Sequence, residues 1–381
     1  GVLLFLAFFF AEYQPWSIPL TFAFSLLFDL VLLPGLSLVF LLSFLFPMVF
    51  WNVFFIWMEK GMQWIAGHTS SSWVLGQPDI TFLLLIMFLL GCLYEWGNHK
   101  KKRLALFLLI GGLCALVKHP LENEITIIDI GQGDSILLRD WQGRTILIDT
   151  GGKVEFGQTE AWRKRQSSSN AERTLIPYLK SRGIDQIDHL VLTHTDADHM
   201  GDMEVVASSL HIKEVNVSKG SLKKATFVKR LERLKLPVKT VEVGDRFPIF
   251  DRFVEVLYPI EVGDGSNNDS LVLYGYLQGV SFLFTGDLEE PGEQILIARY
   301  PQLPVDVLKA GHHGSKGSSH PAFLDHIHAK IALVSAGEKN RYQHPHQETL
   351  ERFKELGMTV FRTDQQGAIR FRGWQKWMIE T

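Results

Sequence analysis

From Leu30 to Met58 no side chain carries a charge. A stretch of that length has few places to fold except a bilayer, since a transmembrane helix needs roughly 20 apolar residues. Two shorter uncharged runs follow, Ile80–Tyr94 and Leu104–Val117. Tyr94 and Trp96 flank them like an interfacial aromatic belt, and Lys100, Lys101, Lys102 and Arg103 stand between them. Successive apolar runs of this kind make a cleaved secretory signal a poor alternative. Pro34 and Pro47 predict a kinked helix, or a helix plus an interfacial segment, within the first run.

Charge separates this region from the rest. Residues 1–118 hold six of the 38 lysines and arginines and five of the 41 acids, which leaves 32 basic and 36 acidic groups in residues 119–381, a net of −4. The expected organisation is therefore transmembrane helices over 1–118 and a water-facing domain over 119–381. Short basic loops stay cytoplasmic, so Lys100–Arg103 predicts that helix 104–117 runs outward and that the domain is extracytoplasmic. Gly1 is not an initiator methionine and the chain opens inside an apolar run, which reads as a piece of a larger membrane protein. Both cysteines, Cys92 and Cys114, fall in the apolar runs, so the polar part has neither a thiolate metal site nor an internal disulfide framework.

The polar part alternates strands and helices. Strands are predicted over 124–130, 135–139, 145–150, 189–193, 252–258, 270–277, 281–285, 305–309 and 330–335, with helices over 173–182, 227–234, 290–300 and 346–356. This is a mixed α/β layered domain. Residues 153–170 read as a polar surface loop. The basic runs Arg163–Arg165 and Lys219–Arg233 offer a local phosphate track or ordinary solvated faces, and a net negative domain is no general nucleic-acid surface.

Residues 193–202 read THTDADHMGD, directly after the apolar strand His189–Leu192. His194, Asp196, Asp198 and His199 are all ligand types for a divalent ion, and carboxylates packed this closely repel unless a cation lies among them. Asp149, Asp287 and the pair His312–His313 each follow a predicted strand in the same way. Strands that each end in a ligand-type residue point to one shared site at a sheet edge.

The order Asp149, His194-x-Asp196-x-Asp198-His199, Asp287, His312-His313 resembles the metallo-β-lactamase fold, a four-layer αββα sandwich that binds two metal ions. The resemblance implies that His194 and Asp196 hold one metal, Asp198 and His199 the other, and that Asp287 bridges them. His313 is the favoured remaining ligand, leaving His312 to donate a proton. Asp149 is implied behind the ligands, orienting them. Asp196 stands where the family motif has a histidine, and Gly265–Ser270, with Asn268 and Asp269 as supporting residues, stands where an isolated histidine is usual. Oxygen in place of nitrogen moves preference from zinc towards manganese or magnesium, so manganese or zinc is expected and magnesium is compatible.

The whole arrangement resembles something narrower. Apolar helices followed by Ile127–Ser135 (IIDIGQGDS), the histidine–aspartate motif, His312-His313-Gly314-Ser315 and Asn340–His346 (NRYQHPH) look like the C-terminal part of a ComEC-type competence channel. That family imports single-stranded DNA across the cytoplasmic membrane during natural transformation. The resemblance implies a membrane-bound, outward-facing phosphodiesterase that cleaves incoming DNA, with His312, or His344 and His346, as proton donors; His344 and His346 read equally as residues that fix a tight turn before the helix that follows. It implies single- or double-stranded DNA, membrane lipid and other competence proteins as partners, and leaves assembly into a homo-oligomer open. A metal-binding scaffold without catalysis, and an exported hydrolase of another phosphodiester, remain the alternatives.

Overall fold

The computed structural model describes residues 2–42, 49–69, 72–95, 99–152 and 169–381. Pro47, Trp96 and the 153–168 segment, with its Arg163–Arg165 run, lie outside the described residues. The chain divides into two compact units, Gly1–Cys114 and Ala115–Thr381.

The first unit is helical. Its helices are Val2–Phe10, Ser17–Leu27 continuing through a wide five-residue turn at Phe28–Leu32 into Leu33–Leu42, Val49–His68, Ile80–Glu95, and Lys100–Lys118 running into the second unit. Among the described residues, one helix, Ser17–Leu42, is long and apolar enough to cross a membrane. Its apolar side chains, including Phe22, Leu30, Phe40 and Leu41, are exposed, as a lipid-facing helix requires. Of the uncharged run 30–58, residues 30–42 belong to this helix and 49–58 to the Val49–His68 helix. The Ser17–Leu42 helix begins upstream of the run, because charge alone does not mark a helix start. The wide turn at 28–32 precedes Pro34 and relieves the clash a proline ring makes with the preceding turn. The Lys100–Arg103 cluster, expected as a loop, forms the first turn of the Lys100–Lys118 helix, since Lys and Arg are good helix formers.

The second unit is built on two sheets. One has eight strands in the order 378–380, 369–373, 123–127, 136–139, 145–148, 186–192, 211–218, 238–241. The other has seven, in the order 359–362, 331–334, 307–309, 280–284, 272–277, 252–258, 246–249. Side chains alternate across each strand, and the sequence exploits it on both faces. Ile136, Leu138, Ile146 and Ile148 pack against Val256, Leu273, Phe282 and Phe284 of the facing sheet. Leu137, Leu147, Leu190 and Leu192 point the other way, onto Leu175, Leu179, Val206 and Phe227 of one helical layer. Leu283, Leu308, Ala332 and Val334 cover the second sheet's outer face with Leu296, Leu324 and Phe353. The result is helix, sheet, sheet, helix: the αββα sandwich of a metallo-β-lactamase fold. The strands at 211–218, 238–241, 246–249, 359–362, 369–373 and 378–380 add to those read from the sequence.

Candidate metal centre

Loops that follow parallel strands of both sheets meet at one edge. Asp149 follows the 145–148 strand, His194 the 186–192 strand, Asp287 the 280–284 strand and His313 the 307–309 strand. The 145–148, 186–192 and 211–218 strands are parallel, as are 280–284, 307–309 and 331–334, so their carboxyl ends face the same way. Three of the residues there occupy the left-handed backbone region without being glycine: Asp149 (φ 60°), His312 (φ 44°) and His313 (φ 55°). Such conformations cost free energy and cluster at functional sites.

Hydrogen bonds fix which nitrogen of each ring faces inward. Asp149 is fully buried and accepts from the Thr193 N–H (2.8 Å), the Thr193 hydroxyl (2.7 Å) and His199 Nδ1 (2.7 Å). Because the Thr193 hydroxyl spends its proton on Asp149, its oxygen accepts from His194 Nδ1 at 3.1 Å. His313 Nδ1 donates to the Ser335 carbonyl at 3.0 Å. Each of the three histidines is thereby left with Nε2 as its inward atom, the tautomer a metal ligand needs.

Those atoms surround a carboxylate. Asp287 Oδ1 lies 3.0 Å from His199 Nε2, and Asp287 Oδ2 lies 3.5 Å from His313 Nε2 and 4.0 Å from His194 Nε2. Asp198 Oδ2 lies 3.4 Å from His313 Nε2. His199 Nε2 and His313 Nε2 face each other at 3.3 Å. As neutral rings both would present lone pairs, so a positive charge belongs between them.

The titration behaviour says the same. Burial alone would lower His199 and His313. The Asp287 and Asp149 carboxylates raise His199 well above the ordinary imidazole range, and Asp287 and Asp134 raise His313 to about 9. Burial and neighbouring His199 push His194 down to about 3. Burial would raise Asp287, yet His199 and His313 hold it well below the usual carboxylate range. Protons on two histidines balance the carboxylates in the metal-free protein, and a divalent ion can replace them. His194 Nε2 is buried without a hydrogen-bond partner among the described residues, a costly state that a cation relieves. The nitrogen and carboxylate donors, with no sulfur, fit a divalent metal of intermediate hardness.

The sequence-predicted residues fall in three groups. His194, Asp198, His199, Asp287 and His313 come together as described. Asp196 sits at the rim with a half-exposed side chain, 3.9 Å from His194 Nε2 and 3.8 Å from Lys224 Nζ. His312 approaches Asp287 Oδ2 at 3.8 Å through Nε2, and its Nδ1 lies 3.0 Å from Glu289 Oε1. The remainder stand farther back. Asn268 bonds the Glu289 backbone N–H (3.2 Å), and Asp269 accepts from Gly263 N, Gly265 N and Ser218 Oγ, tying down the loop whose Gly265 carbonyl holds Thr195. His344 lines the cavity with its ring 5.3 Å from that of His312. Burial and the other histidines lower it to about 4. His346 does not line the cavity. Its Nδ1 accepts from the Lys316 N–H at the start of the Gln347–Glu355 helix. Much of the Lys219–Arg233 basic run is bound internally, by Glu242, by the Val262, Gly263 and Gly265 carbonyls and by Glu204.

The sequence reading did not place Asp134 or Lys309 in the site. Asp134 joins His199, Asp287 and His313 in a buried group whose ligand atoms lie within 4.8 Å of one another. Its Oδ2 accepts from Lys309 Nζ at 2.7 Å, and its Oδ1 lies 3.3 Å from His313 Nδ1. Gly133 beside it has φ +119°, and a Cβ there would strike the Asp198 carbonyl, so the turn carrying Asp134 requires glycine. The sequence signal for Asp134 was its place in the IIDIGQGDS motif, an aspartate between a glycine and an apolar strand.

These features match a known family. The family model described as "Metallo-beta-lactamase superfamily" matches residues 128–338, and the chain belongs to that superfamily. Its competence relatives are equally plain. ComE operon protein 3 of Bacillus subtilis (strain 168) is 34% identical over 98% of this chain and 50% of its own length. Competence protein ComA of Neisseria gonorrhoeae is 31% identical over 66% of this chain and 32% of its own. The resemblance to ComEC-type competence proteins drawn from the motifs is borne out, and the chain spans about half the length of ComE operon protein 3. Among solved structures, the metallo-β-lactamase fold protein YhfI from Bacillus subtilis aligns with a TM-score of 0.44 and 10% identity, covering 66% of this chain and 100% of YhfI.

Proposed function

We propose that residues 119–381 are an extracytoplasmic, two-metal phosphodiesterase that cleaves DNA arriving at a membrane channel, and that residues 1–118 are the last membrane helices of that channel. The observation that carries this reading is the inward convergence of three histidine Nε2 atoms on Asp287, two of them facing each other at 3.3 Å. The competence relatives support DNA and competence-machinery proteins as partners, and the exposed apolar helix Ser17–Leu42 supports membrane lipid.

His194 and Asp196 would hold one ion, Asp198, His199 and His313 the other, and Asp287 both. Manganese or zinc suits this mixed donor set, with magnesium as a third candidate. Bound there, two divalent ions supply an activated water and neutralise charge on the phosphate. The chain's own residues do the rest. Asp149 holds His199 and, through Thr193, His194 in the ligating tautomer. His312, held at Nδ1 by Glu289 and beside Asp287 at Nε2, would deliver a proton to the leaving oxygen.

The test uses the full chain in detergent or nanodiscs, with single- and double-stranded DNA and with manganese, magnesium or zinc. Cleavage should require metal and vanish with chelator. Asp198→Asn should lower it on the order of a thousandfold, since an amide lacks the anionic oxygen and losing metal activation raises the barrier by several kcal/mol. A chain that retains its metals yet cuts no DNA under any condition would establish the scaffold reading instead. Cleavage of other phosphodiesters alone would point to an exported hydrolase of different substrate.

A further inference from the structure

The NRYQHPH segment contributes more to the site than its histidines. Tyr342 lines the same cavity of about 330 Å³ as Asp196, Asp198, Asp287 and His312. Its ring lies nearly parallel to that of His344, with centroids 5.7 Å apart and planes inclined by 23°, and the residue remains 40% exposed at the cavity mouth. Burial at the wall, with the nearby Asp198 and Asp196 carboxylates, raises its phenol, so the ring stays neutral at working pH. The loop that carries it is cross-tied. Asn340 Nδ2 donates to the Gly337 carbonyl (2.8 Å) and the His344 carbonyl (2.6 Å), and Asn340 Oδ1 accepts from the His344 N–H (2.9 Å). A held aromatic ring therefore stands on the wall of a cavity whose floor is a phosphate-type site.

We infer that Tyr342 is a specificity-determining residue, a platform on which an unpaired nucleobase next to the scissile phosphate stacks. The inference rests on the phosphodiesterase reading above and names the part of the substrate that reading leaves open. A phosphate at the Asp198–Asp287 floor brings its attached nucleoside against this wall, since floor and ring belong to one cavity. Aromatic side chains bind every base by its π-face, without reading its hydrogen-bonding edge. A base can stack there only when it is not paired and stacked within a duplex. The site should accordingly favour single strands and frayed ends, and it should do so with little sequence preference.

The experiment compares two single-stranded oligonucleotides of equal length, one carrying bases and one abasic throughout, cleaved by the full chain with manganese. In wild type, kcat/KM should favour the base-bearing strand. Tyr342→Ala should collapse that preference on the order of tenfold, through KM for the base-bearing strand rather than through kcat. Tyr342→Phe keeps the ring and should keep the preference. A preference that survives in Tyr342→Ala overturns the proposal, as does an equal loss on both strands. If wild type cleaves neither strand, the phosphodiesterase reading fails by itself. Fluorescence anisotropy with the same two oligonucleotides then decides the stack alone: Tyr342→Ala should weaken binding of the base-bearing strand on the order of tenfold, and equal affinity of wild type and variant would refute it.

Discussion

Lys309 is the most exposed to test of the buried groups, because the structure sets the size of the effect. Its side chain and that of Asp134 are 1% and 2% exposed, with Nζ 2.7 Å from Oδ2, and Nζ also donates to the Ala310 carbonyl at 3.0 Å. Burial would raise Asp134, but Lys309 and then His313 pull it well below the usual carboxylate range, so it is ionised at any pH near neutral. Lys309→Met removes the main counter-charge and leaves a buried anion with only the 3.3 Å contact to His313 Nδ1. Breaking a buried pair from one side costs about 3–5 kcal/mol, and about 2–4 °C per kcal/mol applies to a domain of this size. The expected loss is therefore on the order of 10 °C in the melting temperature of the second unit. It is read by near-ultraviolet circular dichroism on the full chain in detergent with chelator present, so that metal binding adds nothing. Lys309→Met with Asp134→Leu should regain most of that loss, because an apolar pair of similar volume replaces a buried ion pair at little cost. The double variant should not regain metal retention, since its His313 has lost the carboxylate beside it. A single variant that melts with wild type, or a double variant no more stable than the single, would refute the reasoning. In wild type the depressed Asp134 makes its contribution above the unfolded carboxylate value of about 4 and loses it as pH falls further.

Glu293 carries the opposite sign. It is buried and accepts from the Ser319 and His320 N–H groups, yet burial raises it to about 7. The folded protein thus binds a proton between about 4.5 and 7 that the unfolded chain does not. The second unit should gain up to about 3 kcal/mol on acidification from pH 7.5 to pH 5, read from denaturant midpoints, and Glu293→Gln should flatten that slope; an unchanged slope would exclude Glu293 as its source. Orientation is open to chemical labelling. Val262, 52% exposed in the second unit, should react as Val262→Cys with a membrane-impermeant maleimide in intact protoplasts, and labelling only after permeabilisation would reverse the topology.

Most of the division into an apolar helical unit and a polar α/β unit, and most of the side chains that converge at the site, were legible in the sequence because both depend on local pattern. Absence of charge over 30–58 is a property of the run itself. Strand alternation has period two, so Ile136, Leu137 and Leu138 announce two buried faces wherever the strand ends up. Ligand-type residues at strand ends, such as Asp149, His194 and Asp287, meet because parallel strands align their carboxyl ends. Helix boundaries in the apolar region were less legible: helix-forming lysines at 100–102 extend a helix where charge suggested a loop. Contacts across long separations belong to the tertiary structure alone. Asp134 and Lys309 are 175 residues apart, and neither is marked locally as half of a buried pair. The same holds for ring orientation. His344 and His346 lie two positions apart in one motif, yet packing sets one ring on the cavity wall and turns the other to the Lys316 backbone. Sequence spacing can propose a ligand, but the choice of which nitrogen faces inward is made by Thr193, Asp149 and Ser335, groups that only the folded sheets bring within hydrogen-bonding reach.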